Sequence, residues 1–418
     1  MNEEHSWRYA RLLVELGVGL RRRQPLYVYG QVAHRELVAM LTEVAYEAGS
    51  GPVATRFFDP LQHSALIRRG RFEDIELCHV EDQAWYSEII RHGGAYVCLQ
   101  GPEFPRFWDE LARSHPERHA AYQRGAREAL SGFFRFGVDV VSIPWVAAPW
   151  PTAGLAREVF PSLAEGAARD RLAELIFEFT YANREDALEL AAARDRCLKR
   201  RCRLLDDLAI REIRIVGGGS DLRVGLSPRA RWLGGSHETA GGQTCYLNIP
   251  TEEVFTTPDR RRACGQLEVT RPFRLNTGPL VEGLTLRFQG GRVVELDASR
   301  GREGFERWLA TDAGARRLGE IALVGEDSAI ARSGLFFGLN ILDENASSHV
   351  ALGKGFFEAF AGGESMKPRE IEKLGCNASA VHADLMFGSA AVSVLVTRSR
   401  EGEVVLIDQG RWADRFAA

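Results

Sequence analysis

Apolar positions from Arg8 to Leu20 recur at helical spacing, and the chain then enters Pro25-Leu-Tyr-Val-Tyr-Gly30, a short buried-strand pattern. His34 to Ala48 returns to the helical period and stops at Gly49-Ser50-Gly51. Strand patterns follow at Pro52–Phe58, Ala95–Gln100 and Gly137–Ile143, separated by helical stretches and by loops around Pro102–Pro105 and Pro144–Pro151. Strands alternating with helices of this length predict a layered α/β domain with a mainly parallel sheet. From about 155 to 208 the pattern is helical throughout. It then changes: Ile210-Arg-Glu-Ile-Arg-Ile-Val216 and Leu222-Arg-Val-Gly-Leu226 alternate with period two around Gly217-Gly-Gly-Ser-Asp221. That is a hairpin, and it opens a strand-rich second half. The expected organisation is therefore an α/β N-terminal domain over 1–208 and an α+β, strand-rich C-terminal domain over 209–418.

Composition narrows the class of partner. The chain has 418 residues, 45% hydrophobic and 26% charged, which suits two or three globular domains with their own cores. Its 53 Lys+Arg against 57 Asp+Glu give a formal net charge of -4, so there is no polycationic footprint for nucleic acid. The basic run Lys199-Arg-Arg-Cys-Arg203 is flanked by Asp195, Asp206 and Asp207 and reads as a solvated helix face. The three glycines at 217–219 lack the spacing of a dinucleotide fingerprint. Seven cysteines, an odd number without a CxxC pair, point to reduced thiols rather than a disulfide framework or a thiolate zinc site. A polar N-terminus and the absence of any apolar run of about 18 residues predict a cytoplasmic chain without a membrane span.

Candidate chemistry lies in the second half. His115 and His119, at i and i+4, sit in a polar stretch and read as an exposed helix start. By contrast, Asn248–Pro258 carries Glu252 and Glu253 side by side ahead of Val254 and Phe255. Adjacent residues in a strand face opposite ways, so one of the two carboxylates turns inward if the strand is half buried, and it then needs a cation or donor. Glu320 precedes the apolar run Ile321–Val324, and Leu342-Asp-Glu344-Asn-Ala-Ser-Ser-His349 leads into Val350–Leu352. His382 and Asp384, at i and i+2 of a strand, project from one face and can hold one ion. Together Glu253, Glu320, His349, His382 and Asp384 make a set of three carboxylates and two imidazoles, suited to one or two divalent ions such as Zn²⁺, Co²⁺ or Mn²⁺.

The segments NIPTEEVFTTPDR, GARRLGEIALV, LDENASSHVALG and NASAVHADLMFGS also resemble the thermophilic-type metallo-aminopeptidase family, the aminopeptidase T and S type, in order and spacing. Weaker similarity at AYEAGSGPV and WPTAGLA extends it over nearly the whole chain. The resemblance implies that Glu253, Glu320, His349, His382 and Asp384 hold two divalent ions. It also implies that Glu320 is the acid/base that moves the proton of the attacking water, and that the working form is a homodimer whose sites face an enclosed cavity admitting small peptides. Glu252 and Glu344 become candidate substrate-binding acids for the free amino group. The family pattern has a catalytic tyrosine seven residues after the first ligand histidine, where this chain has Phe356. A phenyl ring cannot donate to a developing oxyanion, and losing one such donor costs roughly 10²–10³ in rate.

The expected reaction is metal-assisted hydrolysis of small peptides or peptide-like amides. Three rivals share the fold. One is a hydrolase specialised for a biosynthetic intermediate, and another is a homologue whose turnover is impaired by the loss of the tyrosine. The third is a mononuclear Fe(II) ring-cleaving-type oxygenase using His349, His382 and Asp384. The presence of Glu253 and Glu320 favours the dinuclear hydrolase over the third.

Overall fold

A computed structural model describes residues 1–134, 137, 141–275, 279–398 and 402–417. The chain divides into two compact units: Met1–Ala192 with Ser236–Pro250, and Ala193–Gly235 with Thr251–Ala418.

The first unit is built on a four-stranded sheet in the order Val53–Phe58, Leu26–Gln31, Ala95–Gln100, Trp145–Pro149, parallel throughout. Helices connect successive strands, as the alternation of periods requires. The strand expected over 137–143 falls partly outside the described residues, and the fourth strand is Trp145–Pro149. The first predicted helix begins at Glu3 and passes at Leu12 into a π-helical turn reaching Gly17, with Leu12, Leu13 and Val14 buried. The excursion Ser236–Pro250 joins this unit through specific bonds. Gln243 Nε2 donates to the carbonyls of Val18 and Gly19 at 3.0 and 2.9 Å, and Ala147 N–H donates to Leu247 O at 2.8 Å. A division of the sequence at 208 does not register this return, because the anchoring partners lie far away along the chain.

At the carboxyl edge of the parallel sheet His34 is fully buried. Its Nδ1 accepts from Gln31 N–H at 3.0 Å, which leaves Nε2–H to donate to Gly101 O at 2.9 Å. Residue 30 is glycine because a Cβ there would stand 2.7 Å from His34 Nδ1. Burial lowers the His34 pKa to about 4 against an ordinary 6.5. The folded chain thus rejects a proton that the unfolded chain accepts. Stability from this group is complete above about pH 6.5 and drains away as pH falls toward 4, on the order of 3 kcal/mol in full. We expect denaturant-derived stability to fall between pH 7 and pH 5, and the slope to flatten in His34→Gln. An unchanged slope in that variant would assign the acid sensitivity elsewhere.

Among the described residues the second unit holds two large antiparallel sheets besides the two-stranded pair Phe273–Arg274 and Leu280–Val281. The larger has eight strands and is entered through the hairpin Ile210–Gly217 and Ser220–Leu226. Its turn needs left-handed backbone at two successive positions, and Gly218 and Gly219 supply φ of 55° and 84°. The smaller sheet runs His382–Met386, His349–Gly353, Leu318–Leu323, Val254–Thr256, with every neighbouring pair antiparallel. Four sequence-distant segments are brought side by side in it, each carrying one of the polar motifs. Its apolar side chains Ile321, Leu323, Val350, Leu352 and Leu385 join one core with Ile213, Val224 and Val394 of the larger sheet.

Candidate metal centre

The register of the small sheet builds the site. The central strand His349–Gly353 pairs Ala351 with Glu320 on one side and with Asp384 on the other. Residues directly opposite share a face, so Glu320, Ala351 and Asp384 form a row across three strands. His349 lies two residues from Ala351 on the same face, and Gly353 pairs with His382. The middle of the row carries only a methyl group at Ala351 and no side chain at Gly353. Space is left there for the flanking acids and rings to converge.

They do converge. His349 Nε2 lies 3.2 Å from Glu253 Oε2 and 3.9 Å from Asp384 Oδ1. His382 Nε2 lies 3.2 Å from both Glu320 Oε2 and Asp384 Oδ1. Ligand atoms fall into two groups, Glu253–Glu320–His349 and Glu320–His382–Asp384, each within 4.8 Å of one another. Glu320 is common to both. Each ring is oriented from behind: His349 Nδ1 bonds Ser347 O at 3.0 Å, and His382 Nδ1 bonds Lys354 O at 2.9 Å. Backbone acceptors at Nδ1 fix the tautomer with a bare Nε2, the form in which imidazole binds a metal.

The electrostatics are those of crowded acids in a dry place. Burial raises the Glu320 pKa, and Glu253 and Asp384 push it the same way while His382 opposes. Burial also raises Glu344 well above the usual carboxylate range, with Glu253 and Asp384 adding to it. Burial works against a charge on His349, yet the carboxylates of Glu253, Asp384 and Glu320 raise it to about 10. His382 goes up likewise, through Asp384 and Glu320. For Asp384 burial is outweighed by His382, His349 and an amide donated by Asn340, which hold it well below the ordinary range.

Glu344 stands beside these groups. Asn340 Nδ2 donates to Glu344 Oε2 at 2.6 Å and to Asp384 Oδ2 at 2.8 Å. The Asp343-Glu344-Asn345 triplet divides three tasks. Asp343 accepts from Phe337 and Leu339 N–H at 2.8 and 3.0 Å and clamps the incoming loop. Glu344 faces the other acids. Asn345 Oδ1 accepts Glu252 N–H at 2.7 Å, tying the Glu252–Glu253 segment to the His349 segment.

The two neighbouring acids lie just ahead of the strand Val254–Thr256, so strand alternation does not act on them; both are buried, each with its own partner. Glu253 meets His349, whereas the Glu252 carboxylate accepts from the guanidinium of Arg194. Removing Arg194 leaves a carboxylate of 7% exposure without its cation. Breaking a buried pair costs roughly 3–5 kcal/mol, and about 2 kcal/mol is expected for Arg194→Met because the guanidinium is partly exposed. Urea denaturation at neutral pH reads that loss, and a change below about 0.5 kcal/mol would contradict the pairing.

Phe356 is pinned through its backbone: its N–H donates to Thr257 Oγ1 at 2.9 Å, and that hydroxyl donates to Phe356 O at 3.0 Å. Its ring packs edge-on against Phe255 and His382, with centroids 5.5 and 5.3 Å apart. His115 and His119 stand outside this cluster: His115 bonds Ser114, and His119 is buried beside Trp108. Sequence reasoning did not find Asn340, Asn345 or Arg194. Asn340 carried a faint signal, its i,i+4 spacing to Glu344 on a helical turn.

Comparison with known proteins agrees with this architecture. The family described as thermophilic metalloprotease (M29) matches residues 2–412. Aminopeptidase T of Thermus aquaticus is 36% identical over 418 residues, covering 98% of each chain. Aminopeptidase AmpS of Bacillus subtilis (strain 168) is 29% identical over 405 residues, covering 97% of each. The solved structure of wild-type AmpT from Thermus thermophilus superposes with a TM-score of 0.88 at 32% identity, covering 98% of both chains.

Proposed function

The chain belongs to the thermophilic metalloprotease (M29) family, and from that premise we propose that it is an aminopeptidase working with two divalent ions, Zn²⁺, Co²⁺ or Mn²⁺. The observation that carries the reading is the pair of ligand groups sharing Glu320. Charge supports the count. The ligand groups contain three carboxylates, Glu253, Glu320 and Asp384, which carry three negative charges when ionised, more than one divalent ion neutralises. The donors fit such ions: every one is oxygen or imidazole nitrogen, the choice of borderline-hard metals. Glu253 Oε2 is buried and makes no aligned hydrogen bond, although His349 Nε2 is 3.2 Å away. A buried carboxylate oxygen left in that state is fit to take a cation. That the two imidazoles belong to different groups favours a dinuclear hydrolase over a single Fe(II) held by His349, His382 and Asp384.

Glu253 and His349 would hold one ion, His382 and Asp384 the other, and Glu320 would serve both. When bound, such ions polarise the scissile carbonyl and lower the pKa of a water in the site. Glu320 is then placed to take that water's proton and return it to the leaving amine. Burial, with Glu253 and Asp384 beside it, raises its pKa above the ordinary carboxylate value, the direction that suits a base which must also return the proton. Glu344 shares the Asn340 amide with Asp384 and is not itself assigned to an ion, and we assign it to the free α-amino group of the substrate. Glu252, engaged with Arg194, supports the Glu253 segment instead of meeting substrate. Small peptides are the proposed substrates and a cytoplasmic homodimer the proposed form. Among the described residues no helix is long and apolar enough to cross a membrane.

The test is cleavage of a Leu- or Phe-type amide with a free amino group, before and after chelation. Activity that disappears with chelator, returns with Zn²⁺, Co²⁺ or Mn²⁺ and is absent on the N-acetylated amide supports the proposal. Chelator-resistant cleavage, or equal cleavage of the acetylated amide, would overturn it.

A further inference from the structure

We infer that Asn340 is a positioning residue that sets the geometry of the ion held by Asp384. The inference rests on the dinuclear reading above and concerns how this chain tunes that site. Asp384 has two oxygens facing different partners. Oδ1 points to the imidazoles, 3.2 Å from His382 Nε2 and 3.9 Å from His349 Nε2. Oδ2 accepts from Asn340 Nδ2 at 2.8 Å. The same nitrogen donates at 2.6 Å to Glu344 Oε2, so both of its hydrogens are used, one on each acid. Asn340 therefore does two things. It commits Oδ2 of Asp384 to the Asn340 amide, which leaves Oδ1, the oxygen beside His382 Nε2, to face an ion. It also holds the Glu344 carboxyl beside Asp384 although two such acids repel.

The residue is fixed for the task. Asn340 opens the short helix Asn340–Asp343, one residue after Leu339, whose N–H is bound by Asp343. Asn345 Nδ2 donates to Ile341 O at 2.9 Å and holds the same turn from its other end. An amide suits this position for a chemical reason. It is neutral and offers two hydrogens from one atom, whereas a hydroxyl offers one and an acid would add a further negative charge to the cluster. Hydrogen-bond partners of ligating groups typically change metal affinity 10–100-fold when removed.

The experiment titrates metal-free full-length protein with Co²⁺, following visible absorption and counting retained ions by elemental analysis. Wild type, Asn340→Ala and Asn340→Leu are compared, with thermal melting of each metal-free protein as the folding control. The expected result is that one Co²⁺ binds as in wild type, while the other binds 10–100-fold more weakly and with an altered visible spectrum, because Asp384 is free to turn either oxygen to the ion. The apolar Asn340→Leu keeps the volume and should match Asn340→Ala, separating loss of the donor from loss of packing. Two ions binding in both variants with wild-type affinity and spectrum would overturn the role of Asn340 and leave the dinuclear reading intact. A single ion in wild type would instead contradict the dinuclear reading, and Asn340 is then judged by the affinity and spectrum of that ion. If one variant does not fold, the other decides.

Discussion

Glu320→Gln lowers kcat for a Leu-type amide by about 10²–10⁴-fold at saturating metal, with KM changed only a few-fold. Several features make this the residue on which turnover should depend most. It sits at the centre of the small sheet, opposite Ala351, and its carboxylate belongs to both ligand groups. It is almost fully buried, at 5% exposure, and His382 Nε2 is 3.2 Å from its Oε2. Glutamine keeps the shape and one oxygen but cannot carry a proton between water and leaving amine. A selective loss of kcat identifies the proton carrier, whereas a variant that simply binds substrate poorly would raise KM. The measurement is steady-state kinetics at metal concentrations that hold the variant fully loaded, checked by elemental analysis. Unchanged kcat under those conditions would move the general base to another residue.

The second large effect runs in the opposite direction. Phe356→Tyr should raise kcat by about 10²–10³-fold, the value of one hydrogen-bond donor to a developing oxyanion. The backbone is already held by two bonds to Thr257, and the ring edge already lies against His382. A hydroxyl is thus delivered to the rim of the ligand cluster without a change of backbone. Since Phe356 is only half-buried, the added oxygen need not lose its water, and the melting temperature should barely move. A gain in kcat with KM little changed identifies a transition-state contact. No gain would mean that this chain meets the charge with another group, or that its natural substrate develops less of it.

Much of this site could be read from the sequence because its signals are local. His382 and Asp384 share a face by strand period alone, and the hairpin glycines at 218–219 declare their turn. The parallel sheet was legible in the same way, with Ala95–Gln100 read to the residue. What escaped depends on distance along the chain. Asn340 matters through Asp384, 44 residues away, and Gln243 anchors to carbonyls more than 220 residues earlier. Glu252 and Glu253 precede the strand Val254–Thr256 and are both buried, and which one meets the candidate ligands is set by Arg194 on one side and His349 on the other. Neither partner is visible from the dipeptide.

The proposed centre is dinuclear and hydrolytic, built along the four strands of the small sheet. Its most direct test is elemental analysis of the protein purified without added metal, with cleavage of Leu- and Phe-type amides measured on the same preparation. Two ions of Zn, Co or Mn per chain are expected, with cleavage that tracks their occupancy. One iron per chain with turnover that depends on oxygen would contradict the proposed centre.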